Sequence, residues 1–165
     1  MTLSKGEREL RRKLAAACFN QAWDYLEMRR RTGEEDVAML TLAHSSLHHW
    51  QVVGTQRNIA ISEWQLSRAY VEVGVPKLAI LLAKSCLDRC TANGLSDIVH
   101  TANEAVARAY AADGDYRKAR RYISKAKSQL GILRLTSEDR KVYSDQIAET
   151  TSLIRSVSKR RRASK

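Results

Sequence analysis

The chain reads as an all-α protein of about seven helices, built from antiparallel helix hairpins stacked one on the next. Three observations carry that reading. Six of the seven glycines, Gly33, Gly54, Gly74, Gly94, Gly114 and Gly131, punctuate the sequence at spacings of 21, 20, 20, 20 and 17. Between them apolar residues recur at intervals of three and four, the period of a helix with one buried face. Segments forty residues apart, two helices' worth, also resemble each other. Proline is used once, which disfavours a turn-rich β architecture. A hydrophobic share of 44% and a charged share of 28% are those of a globular chain. At 165 residues, burial alone is sufficient to hold one core without disulfides or metal.

The predicted helices are 5–30, 34–53, 56–73, 76–93, 97–113, 116–130 and 137–155. Ser4 with Glu7 and Thr32 with Glu35 have the spacing of a capping box, which opens helices 1 and 2. Glycine past a helix end supplies the left-handed backbone that other residues resist, so each glycine is expected to close a helix. Pro76, just after Gly74, suits the first turn of helix 4, and Ser96 suits the N-cap of helix 5. The runs Phe19, Ala22, Trp23, Leu26 and Leu78, Leu82, Cys86 give helices 1 and 4 their apolar stripes, and Ala102, Ala105, Val106, Ala109, Tyr110 do so for helix 5. Helix 7 places Tyr143, Ile147 and Ile154 among polar residues, the composition of a terminal cap.

The internal repeat is specific. Leu66-Ser67-Arg68-Ala69-Tyr70 before Gly74 aligns with Val106-Ala107-Arg108-Ala109-Tyr110 before Gly114, and Ala79, Ala83 and Cys86 align with Ala119, Ile123 and Ala126. A small residue, an aromatic one, a glycine and helix-B alanines in this order resemble the tetratricopeptide repeat over Ile59 to Ala126. The repeat here is 40 residues rather than about 34, and the family's closing proline is missing. The run Ala43-His44-x-Ser46-x-x-His49-Trp50 with Glu63-Trp64-Gln65 also resembles a small bacterial family of helical-repeat proteins, a likeness that bears on fold and not on activity. A plain helical bundle satisfies the same hairpins.

The tetratricopeptide resemblance implies a concave groove lined by helices 1, 3 and 5, for a peptide or helix of a protein partner. The matching positions are Trp23, Glu27, Trp64, Arg68, Glu104 and Arg108. Arg68 and Arg108, forty apart, would offer planar donors to carboxylates, or else pair with Glu72, Glu104 or Asp113.

Of the net charge of +11, residues 155–165 supply +6. Residues 1–155 are therefore read as the folded domain and 156–165 as a basic, disordered tail. Arg117, Lys118, Arg121 and Lys125 on helix 6, with Lys159, Arg160, Arg161 and Arg162, form the alternative functional surface, one for nucleic-acid phosphates.

Chemistry is little in evidence. His44 and His48 share a helix face, but no glutamate follows His44 and no third donor stands at ligand spacing, so no metal or cofactor is expected. Glu63, on the apolar side of helix 3, is expected to pair with Arg57, His44 or His49. No phosphate loop, nucleophile elbow or paired-carboxylate motif occurs, and no enzymatic activity is expected. Cys18, Cys86 and Cys90 read as small buried thiols of a cytoplasmic protein. The longest apolar run, Leu78 to Ala83, is too short to span a bilayer, so no membrane partner is expected.

Overall fold

A computed structural model describes residues 3–163, with side chains through Ser156. It holds seven helices: α1 Lys5–Leu26, α2 Gly33–Val53, α3 Gln56–Glu72, α4 Pro76–Ala92, α5 Val99–Ala112, α6 Tyr116–Ile132 and α7 Ser137–Ala163. No strand occurs among the described residues. Both predicted capping boxes form. Ser4 accepts from the Glu7 amide at 3.2 Å while Glu7 accepts from the Ser4 amide at 2.7 Å, and Thr32 and Glu35 repeat the same two distances. Thr55 with Asn58 opens α3, and Asp115 caps α6 by accepting from the Lys118 amide.

The glycines divide into kinds. Gly74, Gly94 and Gly114 have φ of +75°, +63° and +82°, and each closes its helix in the same way. The amide after the glycine donates back to the carbonyl five residues earlier: Val75 to Tyr70, Leu95 to Cys90 and Asp115 to Tyr110, at 2.9, 2.9 and 3.0 Å. This is the Schellman closure, repeated three times at the same interval. The other three glycines depart from expectation. Gly33 is the first residue of α2, because Thr32 must be extended to cap it. Gly54 is extended, and glycine is needed there for proximity: a Cβ would lie 2.7 Å from the Trp50 carbonyl oxygen. Gly131 lies within α6.

Three boundaries also differ. Helix α1 stops at Leu26 rather than 30, because Arg31 folds back to donate to the Tyr25 carbonyl at 3.1 Å and pairs with Asp36. Helix α5 starts at Val99, so Ser96 lies before it and does not cap it. Helix α7 runs to Ala163, so the stretch predicted as a disordered tail from 156 continues the helix, though its side chains past Ser156 lie outside the described residues.

Consecutive helices pack as hairpins, and the odd-numbered helices stack along one side: α1 on α3, α3 on α5, α5 on α7. Long-range contacts show the register of that stack. Trp23 meets Trp64 at 5.4 Å between ring centroids, Arg57 pairs with Asp97, and His100 meets Tyr143 at 4.5 Å. Each step spans about one repeat, so residues forty apart become spatial neighbours. Tyr70 and Tyr110 pack against the same cluster of Ala79, Ala83, Ala105, Val106 and Ala109. Alanine fills the helix interfaces, letting axes approach closely, and Ala107, Ala119 and Ala126 continue the pattern toward α7. Helix α5 lies at the centre, buried on nearly every side, with Ala102 through Ala109 all buried. Helix α7 is the fourth member of the odd-numbered row and covers α5 with Ile147 and Ile154.

Candidate functional site

The inner face of the odd-numbered row is built by one helical stripe taken from each member. On α3 the stripe is Ile61, Trp64 and Arg68; on α5 the residues one repeat later are Thr101, Glu104 and Arg108. Helix α1 contributes Phe19 and Trp23, whose rings meet edge-on at 6.4 Å. The Arg68 guanidinium lies over the Trp23 ring at 5.6 Å, a cation–π contact that fixes both side chains. Gln65 donates to the Phe19 carbonyl at 2.8 Å, tying α3 to α1 beneath this pair.

Two apolar clefts flank Ile61. One, of about 160 Å³, is lined by Ile61, Trp64, Thr101 and Tyr143 with Ala60, Cys86, Ile98 and Ala102 behind them. The other, of about 200 Å³, lies between α1 and α3 and is lined by Phe19, Asn20, Trp50 and Ile61 among others. Both are side-chain sized and mostly apolar, so they suit the anchoring residues of a bound chain.

The charged half of the face is partly consumed internally. Glu104 and Arg108, both buried, form an i,i+4 pair at 2.7 Å, and Thr150 of α7 donates its hydroxyl to the same Glu104 oxygen. Of the two alternatives for the arginines, Arg108 takes the paired one: it is a core residue held by Glu104, its internal counter-ion, and is not a rung of an accessible ladder. Burial works against the Arg108 charge, but Glu104 and Glu149 outweigh it and hold its pKa above the usual value. Arg68 differs. It reaches Glu149 of α7 only at 3.4 Å, and its buried Nε has no partner. Burial, then the neighbouring Arg108, pushes its pKa down. Glu149 itself is 57% exposed. Trp23 and Trp64 are half-buried on the face, and Glu27 is exposed at the end of α1. Tyr143 and Glu149, absent from the predicted set, join the site because α7 extends the row; the 40-residue period carried past Arg108 would have placed α7 there.

No family model, curated protein or solved structure matches the chain. Glu63 accepts from Ser85 at 2.7 Å and from Arg89 at 2.9 and 3.0 Å, both on α4, not from Arg57, His44 or His49. Arg57 pairs with Asp97 because the stack brings repeat-related ends together. His44 shares a hydrogen bond of 2.8 Å with Tyr70, and His49 contacts Arg11 at 3.3 Å. Burial lowers the pKa of both histidines, with Arg11 and His48 adding to the effect at His49. Among the described residues no three His, Cys, Asp or Glu side chains converge as a metal site.

On the opposite, outer side, Arg117, Lys118, Arg121 and Lys125 of α6 are all exposed. Lys118 sits 5.0 Å over Tyr110 and Lys125 5.3 Å over Tyr122, and the two tyrosine rings stack at 5.9 Å. Lys159, Arg160, Arg161 and Arg162 lie outside the described side chains. No helix among the described residues is long and apolar enough to cross a membrane.

Proposed function

We propose that the chain is a non-enzymatic, cytoplasmic interaction scaffold of tetratricopeptide-like build that holds a peptide or helix of a partner protein against the inner face of α1, α3, α5 and α7. The observation that carries this reading is the pair of apolar clefts on either side of Ile61, with Trp64 bounding one of them and Arg68 one turn further along the same stripe. A bound segment would seat apolar side chains in the clefts. A carboxylate of the same segment would compete with the long, solvent-exposed contact of Glu149 for Arg68, whose guanidinium is already oriented by Trp23.

The test is affinity capture from native lysate after nuclease treatment, comparing the full chain with Ile61→Arg combined with Arg68→Glu. A polypeptide retained by the first and lost by the second, with both proteins showing the same thermal unfolding, supports the groove. Equal retention by both would remove the inner face as the binding surface. Arg108 is unsuitable for this test, because its substitution disturbs the core.

A further inference from the structure

Several cations of this molecule face acids, most of them across helix boundaries. Arg31 faces Asp36 and Glu72, Arg57 faces Asp97, Lys77 faces Asp113, Arg89 faces Glu63, and Arg108 faces Glu104. Helix α6 differs in carrying a run of cations with no acid of its own. Its residues Arg117, Lys118, Arg120, Arg121, Lys125 and Lys127 are all exposed, and Tyr116–Ile132 contains no Asp or Glu. Lys118 reaches a carboxylate just outside the helix, the N-cap Asp115 at 2.9 Å. Among the described residues, Arg117, Arg121, Lys125 and Lys127 pair with no acid.

We propose that the outer ridge of α6 is a docking surface for the phosphate backbone of nucleic acid, separate from the inner groove. Arg117, Arg121 and Lys125 succeed one another every four residues, so they rise about 6 Å per step along one side of the helix. That makes a linear array of positive charge suited to a linear array of phosphates. Tyr110 and Tyr122 organise it from below: stacked on each other, they hold the ammonium groups of Lys118 and Lys125 by cation–π contact, which lowers the freedom those side chains lose on binding. Helices α4 and α6 both pack on α5, and Tyr122 of α6 packs against the cluster that holds Ala79 and Ala83 of α4. A bilayer is a poorer fit, because the apolar face of α6, with Ala119, Ile123, Ala126 and Leu130, is buried against its neighbours. Its one large exposed apolar residue is Ile132, at the far end. Nothing on the ridge distinguishes bases, so binding is expected to be indifferent to sequence.

The experiment measures fluorescence anisotropy of labelled oligouridine of about 20 nucleotides with the full chain, from 50 to 300 mM salt, the probe length and salt range being set to resolve a counterion slope. The triple variant R117E/R121E/K125E is expected to lose affinity by about tenfold or more and to flatten the log–log salt slope by about 2, since each single-strand phosphate contact contributes about 0.7. The variant R12E/R29E/R30E makes the same change in net charge at exposed positions on α1 and the loop after it, and should bind nearly as the parent does. R117K/R121K, which keeps the charge, should bind as the parent does, and circular dichroism confirms that every variant folds. Equal losses in the two charge-reversed triples would overturn the proposal, because bulk charge alone would then explain binding. An unaffected α6 triple alongside loss on deleting residues 156–165 would also overturn it, leaving the basic C-terminal run as the contact. So would α6-dependent binding to phosphatidylserine–phosphatidylcholine vesicles with none to oligouridine. Failure here leaves the inner-face reading intact, since capture there is scored after nuclease treatment.

Discussion

Replacing Glu104 by alanine should be among the most damaging single substitutions in the molecule, though Glu104 lies on no accessible surface. The carboxylate is 1% exposed and accepts from Nε and Nη2 of Arg108 at 3.0 and 2.7 Å, and from the Thr150 hydroxyl. Removing it leaves a guanidinium that is 5% exposed with Glu149 at 3.6 Å as its nearest acid. Breaking a buried ion pair from one side costs about 3–5 kcal/mol. Glu149 is mostly solvated and recovers part of this, so the lower end, about 3 kcal/mol, is expected. A domain of this size has about 5–15 kcal/mol in all and loses about 2–4 °C of midpoint per kcal/mol. The thermal midpoint should therefore fall by about 6–12 °C, read by circular dichroism and checked by urea unfolding at constant m-value. Replacing both partners, Glu104→Met with Arg108→Met, should return most of the loss, since it is the stranded charge and not the missing attraction that destabilises. If the double variant is as unstable as Glu104→Ala, or if Glu104→Ala costs under about 1 kcal/mol, the account of this cluster is wrong.

Gly74→Ala and Gly114→Ala should each destabilise by about 1–2 kcal/mol, since a Cβ is strained at their positive φ, whereas Gly131→Ala, inside α6 with open space around it, should stabilise by about 0.5–1 kcal/mol; urea midpoints separate the two classes. Ala119→Leu should cost about 1–3 kcal/mol, because Ala119 is fully buried in the cluster shared by α5, α6 and α7 and a larger side chain forces them apart. His100 is buried against Tyr143, and burial lowers its pKa despite the opposing pull of Asp97 and Glu104. Its native state resists protonation, so its contribution is full above the unfolded histidine value of about 6.5 and declines as pH falls below that. Urea midpoints should therefore drop from pH 7 to pH 5, and His100→Phe should show a smaller drop; an identical pH profile in the variant would assign the effect elsewhere.

Much of the fold was legible because it rests on local chemistry. Ser4–Glu7 and Thr32–Glu35 announce their helices through side chains that reach only three residues. The stack was legible because Tyr70 and Tyr110 repeat at the interval that brings them to one cluster. The glycines mislead where the reason for glycine is not backbone handedness: Gly54 is set by the nearness of Trp50, a contact no spacing rule contains. The end of α1 was misplaced because Arg31 closes the loop on Tyr25 and Asp36, contacts that no helix-stop residue announces, with Glu72, forty-one positions away, reached at 3.5 Å. At the inner face, Trp23 does meet Trp64 and Arg68, but the burial of Glu104 and Arg108 was not legible. That depended on whether α7 reaches Glu104 and Arg108, which is decided by Thr150 and Glu149 on a helix outside the clearest repeats.

The identical closures at Gly74 and Gly114 carry a consequence for how such a chain can change length. Residues 74–113 begin and end at the same point of the same backbone motif, with the donating amide and accepting carbonyl in equivalent places. A segment bounded in this way is a cassette. Cutting it out or copying it in joins Tyr70-type endings to Val75-type beginnings without asking any helix to change direction, so growth by whole units leaves the local joints as they are while shifting the terminal helix along the row.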